Sequence, residues 1–523
     1  MPDGFSLQVV ATGLTEPTSF AFLPDGRVLV TEKSGTVRLV KDGVLLAEPL
    51  LDLRGRVNDF WERGLLDVAV DPGFADNGFI YLLYVYDEHL TAYQGGKTVR
   101  VSRFTVGGDL ADPNSESVLL GGQTAISCNY LPVGADCLPA DTRSHTGGAL
   151  AFAADGSLFV STGDASRDSV SQSLRAQNLD LLAGKVLRVN PDGTGLPTNP
   201  FYTGDPHSNR SKVWASGLRN PFRLALHPTN GVPYVGDVGE RTWEEINAVP
   251  RGANLGWPCL EGVEPPELWP EKPPARSVCE SPGGPPLQPP LFAYDHPLGP
   301  TVIGGAFYTG SVYPQQYQGA YFFADHARSE IRFLRVDDEH RLIAGPLSFI
   351  SATGNPTAIE MGPDGQLWYS ALSSGELIRI HYGGPTVPTP GAGRPTFVAE
   401  YFANPRLEGS PVLTQHEAGI GYTWGVATPS LGQQATSLSV RWNGTFPFRE
   451  GRFAFTARAD DGIRIWLDDE LIVDAWDGPY LMRYEAIRTL TDGEHRVKVE
   501  YHNDDGPGLV QVRWLARATD AGG

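Results

Sequence analysis

The chain has 523 residues, too many for one ordinary hydrophobic core, so we expect at least two domains. Its 61 glycines and 43 prolines separate short apolar runs, which indicates many turns and an all-β chain. The formal net charge of −20 argues against nucleic acid or an anionic membrane surface as a partner. No apolar run reaches the roughly 18 residues of a membrane span.

A loose repeat of strand, turn and strand recurs through the first 380 residues, often with Asp-Gly at the turn. Asp-Gly after an apolar strand predicts a hairpin, because glycine adopts the positive φ that tight turns require. The repeat occupies residues 17–40, 64–87, 148–164, 220–249, 304–337 and 356–380. Each unit would form a small sheet that cannot bury both of its faces alone, so six units predict a six-bladed β-propeller. The first and last units are similar, as expected if the ring closes on itself.

A β-sandwich remains an alternative for this part of the chain, whereas a β-solenoid would need shorter and more regular units. The long inserts at residues 109–142 and 260–290 are predicted to be loops on the faces of the propeller.

One hairpin, residues 144–164 (SHTGGALAFAADGSLFVSTGD), carries a candidate catalytic pair. Its alternating apolar residues predict two antiparallel strands, so Asp164 at the end of the second strand returns to His145 before the first. The two glycines after His145 are expected to leave open space beside its ring. The arrangement resembles a base and the carboxylate that orients it, and the alternative is a surface histidine before a hairpin.

The composition changes after the repeats. Residues 383–395 are rich in proline and glycine and are predicted to be a linker between residues 1–382, the propeller, and residues 396–517. The last segment alternates apolar and polar residues between acidic turns, which favours a β-sandwich.

The four cysteines indicate the compartment. Cys128 and Cys137 flank a short loop, Cys259 and Cys279 flank a proline-rich one, and neither pair has the spacing of a zinc site. Two local disulfides fit better and imply an oxidising environment. The sequence shows no signal peptide, which fits either a removed leader or a cytosolic protein. We expect a secreted or periplasmic protein whose signal peptide has been removed.

Several motifs resemble the soluble glucose/sorbosone dehydrogenase family. They are HTGGALAF, GSLFVSTGD, GLLDVAVDPGF, GLRNPFRLALHP, GDVGERTWEEIN and NLGWP, and the resemblance covers roughly residues 5 to 382. It implies a six-bladed propeller that oxidises aldose sugars with pyrroloquinoline quinone (PQQ) and calcium. The DDG turn followed by IRIWLDDELIVDAW resembles a PA14 domain, a β-sandwich often attached to carbohydrate-active proteins.

The resemblance implies a role for each matching residue. His145 would be the general base that takes the proton of the sugar C1 hydroxyl, and Asp164 would hold its imidazole in the useful tautomer. Arg219 would face the quinone oxygen where negative charge grows. Asn220 would hydrogen-bond the cofactor, and Glu62 would contact the substrate or the base.

The resemblance also implies metal sites. The main-chain carbonyl oxygens of Gly239 and Glu240 would bind the calcium that bridges to PQQ, because calcium prefers oxygen ligands. In the PA14-like segment, Asp460 and Asp461 are candidate calcium ligands for glycan recognition. A plain β-turn explains these two residues equally well.

The cations that anchor the carboxylates of PQQ in the family are missing here. Ala327 stands where the family has a lysine, and the family's Arg-x-Arg-Asp is replaced by residues 355–358, NPTA. Burying unpaired carboxylates costs several kcal/mol for each group. Either His326, Arg328 and loop residues such as Arg276 substitute, or PQQ binds weakly, or the propeller has another function.

Three functions follow, in this order of preference. The first is an exported PQQ-dependent aldose dehydrogenase that oxidises the sugar C1 hydroxyl to a lactone, passes electrons to an external acceptor, and binds polysaccharide through its PA14 module. The second is a secreted carbohydrate-binding propeller without redox chemistry. The third is a hydrolase or lyase that acts on an acidic sugar through His145 and Arg219.

Overall fold

The computed structural model describes residues 1–2, 4–88, 93–167, 169–265, 273–280, 285–295, 301–384, 396–417, 419–424, 438–477, 482–504 and 508–517, without the side chains of 273–276, 421–424, 482–483, 508 and 515–517. Residues 385–395 of the predicted linker therefore lie outside the described part of the chain.

The strands before residue 383 are β1 (Phe5–Ala11), β2 (Pro17–Phe22), β3 (Val28–Glu32), β4 (Thr36–Lys41), β5 (Val44–Leu45), β6 (Leu51–Asp52), β7 (Leu65–Val70), β8 (Phe79–Tyr86), β9 (Lys97–Gly107), β10 (Leu110–Leu120), β11 (Leu138–Ala140), β12 (Leu150–Phe152), β13 (Leu158–Thr162), β14 (Lys185–Val189), β15 (Val213–Ser216), β16 (Pro221–Leu226), β17 (Pro233–Asp237), β18 (Trp243–Ala248), β19 (Phe292–Asp295), β20 (Val302–Phe307), β21 (Tyr321–Asp325), β22 (Glu330–Val336), β23 (Leu342–Ser351), β24 (Pro356–Met361), β25 (Leu367–Ala371) and β26 (Glu376–Tyr382). Helices are short: α1 (Phe74–Asn77), α2 (Val170–Ser173), α3 (Asn209–Lys212), α4 (Pro273–Glu280) and 3₁₀ turns at Cys128–Tyr130, Leu174–Gln177 and Gln315–Tyr317.

These strands form six antiparallel sheets arranged as the blades of a β-propeller, which confirms the predicted fold. The sheets begin with β2, β7, β12, β16, β20 and β24. Each of these strands contacts the next, and β24 contacts β2, so the six strands form a ring. The ring closes through the N-terminus, because β1 pairs with β26 in the last sheet, with Phe5 opposite Tyr382.

The packing of β8 shows why each blade needs two neighbours. Tyr81 and Leu83 pack into a cluster with the third sheet, whereas Ile80 and Leu82 pack into a cluster with the first. A strand that buries both faces cannot be stable in an isolated hairpin. The repeat therefore folds only as part of the ring.

The insert at residues 109–142 was wrongly predicted to be only loop. Its first part is β10, which pairs with β9 as the outer strand of the second blade. The pairing shifts register between Asp112 and Ser117, and this irregularity accommodates Pro113, which cannot donate a ladder hydrogen bond. The insert at 260–290 contains α4.

The C-terminal segment forms two antiparallel sheets, as predicted for a PA14-like sandwich. Its strands are β27 (Phe397–Phe402), β28 (Leu413–Glu417), β29 (Ile420–Trp424), β30 (Leu438–Phe448), β31 (Gly451–Ala459), β32 (Gly462–Leu467), β33 (Glu470–Ala475), β34 (Met482–Leu490), β35 (Gly493–Asn503) and β36 (Gly508–Arg517). The sheet orders are β28-β27-β30-β35-β32-β33 and β29-β36-β31-β34. Trp442 is fully buried and donates to Glu417, so its ring belongs to the core.

Both predicted disulfides are present, Cys128–Cys137 and Cys259–Cys279. They close the two inserts and fit an oxidising compartment outside the cytosol. No described helix is both long and apolar enough to cross a membrane.

Candidate functional site

The third blade brings His145 and Asp164 together. β12 and β13 pair with Leu150 opposite Val160, so the segments at the open end of the hairpin meet. The His145 Nδ1 atom lies 2.8 Å from Asp164 Oδ1. His145 has a φ of 56°, a left-handed conformation that is uncommon for a residue with a side chain and is concentrated at functional sites.

The two glycines after His145 serve a different purpose from the one expected. A Cβ on Gly147 would lie 2.1 Å from a side-chain carbon of Leu66, and one on Gly148 would lie 2.0 Å from the Ser161 carbonyl oxygen. The glycines therefore allow the chain to pack tightly against the second blade and β13, rather than leaving open space beside the imidazole.

Asp164 is a fully buried carboxylate held on every side. The Ser166 N–H donates to its Oδ1 atom, and the Ser166 hydroxyl and the Trp257 indole N–H donate to Oδ2, at 2.8, 2.8 and 2.7 Å. Burial alone would raise its pKa, but the charge and hydrogen bond of His145 and the charge of Arg219 lower the pKa below the usual value. An ionised carboxylate only accepts hydrogen bonds, so Nδ1 of His145 donates to Asp164, and in the neutral form of the ring Nε2 is the nitrogen that can accept a proton.

Arg219 and Asn220 lie beside this pair, between β15 and β16. The Arg219 carbonyl accepts from the Asp164 N–H at 2.9 Å. The Arg219 and Asn220 N–H groups donate to the two carboxylate oxygens of Asp237 at 3.0 and 2.6 Å. Among the described residues, the buried Arg219 Nε and Asn220 Oδ1 atoms have no hydrogen-bond partner. These two polar atoms are therefore available to hydrogen-bond a bound molecule.

Glu62 is joined directly to the predicted base. Its Oε2 atom accepts from the His145 N–H at 2.8 Å, and its carbonyl accepts from the Thr146 hydroxyl at 3.3 Å. The Glu62 side chain is exposed and contacts the main chain of the predicted base, and its contact with a substrate stays a prediction.

The predicted calcium loop follows β17. The Oε1 atom of Glu261 accepts from four successive N–H groups, those of residues 240–243, at 2.7, 2.9, 2.9 and 3.3 Å. Burial raises the pKa of Asp237 to about 7 despite the N–H groups of Arg219 and Asn220. Burial and the neighbouring Asp237 raise the pKa of Glu245 to about 8. Both shifts favour the neutral carboxyl groups, and a cation bound nearby would lower both pKa values by stabilising the ionised forms.

Within the described ranges, no group of three or more His, Cys, Asp or Glu side chains could hold a metal ion. A cation beside the 239–240 loop would therefore need main-chain oxygen ligands. In the sandwich, the carboxylate of Asp461 accepts from the Asp504 N–H at 2.7 Å, and Asp461 has a φ of 65°. Calcium at Asp460 and Asp461 stays a prediction.

The two side chains that could replace the family's lysine, those of His326 and Arg328, both contact neighbouring segments of the chain. The His326 ring lies 3.1 Å from the Pro356 carbonyl, and the Asn355 amide donates to the His326 carbonyl at 2.8 Å. The Arg328 guanidinium lies 3.9 Å from Asp325 and 4.0 Å from Asp295. The structure thus uses both side chains to join neighbouring segments, and the Arg276 side chain lies outside the described residues.

The residues present therefore fit the reacting end of PQQ better than its carboxylates. His145, Arg219 and Asn220 bring together an imidazole, a guanidinium and polar atoms without protein partners. Calcium and Arg219 together could balance the charge of three carboxylates, whereas His326 already contacts the Pro356 carbonyl and Arg328 already makes long ion contacts with Asp325 and Asp295.

The sequence analysis missed Trp257 and Ser166 as partners of Asp164. Trp257 lies in the NLGWP motif, which drew attention only as part of a resemblance, and its ring also lies 5.4 Å from the Arg219 guanidinium carbon.

Comparisons with known proteins agree with this architecture. The profile of the glucose/sorbosone dehydrogenase family matches residues 14–379, and that of the PA14 domain matches residues 393–518. Aldose sugar dehydrogenase YliI of Escherichia coli is 28% identical over 72% of this chain and 93% of its own length. The crystal structure of the soluble aldose sugar dehydrogenase of Escherichia coli in the apo-form is 27% identical, with a TM-score of 0.58 over 72% of this chain and 99% of that chain. Human Hedgehog-interacting protein is 31% identical over 43% of this chain and 32% of its own length.

Proposed function

Because the chain belongs to the glucose/sorbosone dehydrogenase family, we propose that it is an aldose sugar dehydrogenase that oxidises the C1 hydroxyl of a sugar to a lactone with PQQ and calcium. The observation that carries this proposal is the imidazole of His145, oriented by a buried, ionised Asp164 beside Arg219 and Asn220. A protein that only binds sugar has no need of an oriented base.

Each residue of the site would have a separate role in this reaction. Nε2 of His145 accepts the proton of the sugar C1 hydroxyl, and Asp164 stabilises the imidazolium that results. Arg219 and Asn220 would hold and polarise the cofactor, and the Glu62 carboxylate would accept a hydrogen bond from a sugar hydroxyl. When bound, PQQ supplies the acceptor for the hydride, and an external acceptor then takes the two electrons.

Reconstitution tests the proposal. The purified protein is incubated with PQQ and calcium, and reduction of a dye is followed with a panel of aldoses. We expect sugar-dependent reduction that requires both cofactors, and affinity for PQQ that is weak because His326 and Arg328 are engaged. Absence of reduction at millimolar PQQ would reject the dehydrogenase.

Calcium should also stabilise the protein. A cation that binds only the folded state at one hundred times its dissociation constant contributes about 2.7 kcal/mol. We therefore expect calcium to raise the melting temperature, EDTA to reverse the shift, and magnesium to have less effect, since it holds its waters more tightly.

Two variants locate that calcium. Glu261→Ala, which releases the N–H groups of residues 240–243, should reduce the calcium-induced shift. Asp461→Asn in the sandwich should leave it unchanged. Loss of the shift only in Asp461→Asn would place the calcium in the PA14-like domain and contradict the propeller site.

We propose further that the protein is exported and that its PA14 module binds polysaccharide. The two disulfides and the PA14 match support this. Pull-down of the full chain on insoluble polysaccharides, with and without calcium, tests the binding.

A second candidate function is a carbohydrate-binding propeller without redox chemistry. The hydrogen bonds and ion contacts of His326, Asn355 and Arg328 favour it, because the side chains expected to anchor PQQ join blades instead. Sugar binding without any change in the PQQ spectrum would support this function over the first.

A further inference from the structure

The segment that carries Glu62 is held rigidly at the rim of the second blade. Arg63 is fully buried, and its guanidinium donates to the carbonyl oxygens of Gly95, Ala140 and Thr142 at 2.8, 2.9 and 2.9 Å. Arg63 thereby fixes residues 58–63 against the chain that leads into His145.

Trp61 is exposed although its support is rigid. Its side chain is among the exposed large apolar groups, at 58% exposure, and its φ is 61°. A left-handed backbone is a true outlier for so bulky a residue, and such strain persists where the surroundings impose it and often marks a functional position. Neither packing in the core nor the backbone conformation explains why residue 61 is a tryptophan.

Arg143 completes an aromatic and cationic pair. Its guanidinium carbon lies 4.3 Å from the centroid of the Trp61 ring. Its buried Nε atom has no hydrogen-bond partner among the described residues. The pair therefore presents an exposed tryptophan ring that is supported by a guanidinium.

The pair is continuous with the proposed base. Arg143 precedes His145 by two residues, and its carbonyl accepts from the Glu62 N–H at 3.3 Å. Glu62, next to Trp61, accepts from the His145 N–H. These hydrogen bonds join the segment of Trp61 and Arg143 directly to the segment of the proposed base.

We propose that Trp61 and Arg143 form a second saccharide subsite, so that the substrates are oligosaccharides oxidised at the reducing end rather than free monosaccharides. This inference rests on the proposed function of the His145 site. The indole face packs against the C–H groups of the second sugar ring, and the guanidinium donates to its hydroxyls.

Binding measurements test the subsite. Calorimetric titrations compare cellobiose, lactose and maltose with glucose and galactose, with and without PQQ and calcium. We expect the best disaccharide to bind roughly tenfold more tightly than its monosaccharide, the ratio that about 1.4 kcal/mol supplies. Trp61→Gly should abolish that preference, and Trp61→Phe should keep most of it.

Thermal unfolding distinguishes a role of Trp61 in sugar binding from a role in the stability of the fold. Glycine adopts the φ of residue 61 without strain, so Trp61→Gly should melt at the same temperature as the wild type or higher. A clear fall in its melting temperature, a preference that survives the substitution, or no disaccharide preference in the wild type would overturn the inference. If the wild type reduces the dye but its disaccharide preference does not depend on Trp61, only the second subsite is refuted. If the preference depends on Trp61 but no sugar reduces the dye, only the proposed dehydrogenase function is refuted.

Discussion

His145→Asn should lower kcat for sugar oxidation by about 10²- to 10⁴-fold, the usual contribution of a positioned general base. Asparagine tolerates the left-handed backbone of residue 145 and is close to histidine in size. The variant therefore removes Nε2 as a proton acceptor while preserving the fold. Stopped-flow or steady-state dye reduction at saturating PQQ, calcium and sugar measures the effect.

The matched control is His416→Asn, at an exposed histidine in the sandwich, which should retain wild-type turnover.

Asp164→Asn should also lower kcat, because an amide can donate to Nδ1 and so favour the tautomer that protonates Nε2. Wild-type turnover in a folded His145→Asn variant would show that another group accepts the proton.

The local part of the fold was predictable from sequence. Asp-Gly turns favour a positive φ at the glycine, as at Gly156 with its φ of 83°. The strands on each side alternate apolar and polar residues, which a sequence shows directly. β10 was not predictable, because Pro113 and the polar residues around it have the composition of a loop. Only its pairing with β9 makes that segment a strand.

In the candidate site too, local contacts could be predicted from the sequence and long-range contacts could not. His145 and Asp164 belong to one hairpin, so period-two alternation was enough to bring them together. Trp257 donates to Asp164 from 93 residues along the chain, and no local pattern reports such a contact. The packing of Gly147 against Leu66 is equally non-local, which is why the glycines were misinterpreted.

Arg223, in β16, shows how the ring is held at its centre. Its guanidinium donates to the carbonyl oxygens of Thr18, Leu66, Gly148 and Thr357 at 2.6, 3.1, 3.2 and 2.9 Å. These residues belong to or directly precede the first strands of four other blades. One buried side chain therefore satisfies main-chain groups that no sheet ladder can reach.

We expect Arg223→Met to lower the free energy of unfolding by about 3–5 kcal/mol. The substitution keeps an unbranched, apolar stem but leaves four buried carbonyl groups without these donors. It also removes the nearby positive charge from Asp67, a buried carboxylate whose pKa is raised by burial and lowered by Arg223. Urea denaturation followed by tryptophan fluorescence measures the change.

Arg379→Met is the matched control, because Arg379 is half-buried and contacts Gln8 and Asp364 at the outer part of the last blade. It should cost less than about 1 kcal/mol. If Arg223→Met does not fold, Arg223→Lys keeps the charge with fewer donors and should show an intermediate loss. A change below 1 kcal/mol in either Arg223 variant would mean that the six blades hold together through their apolar interfaces alone, and that the central guanidinium only fills space.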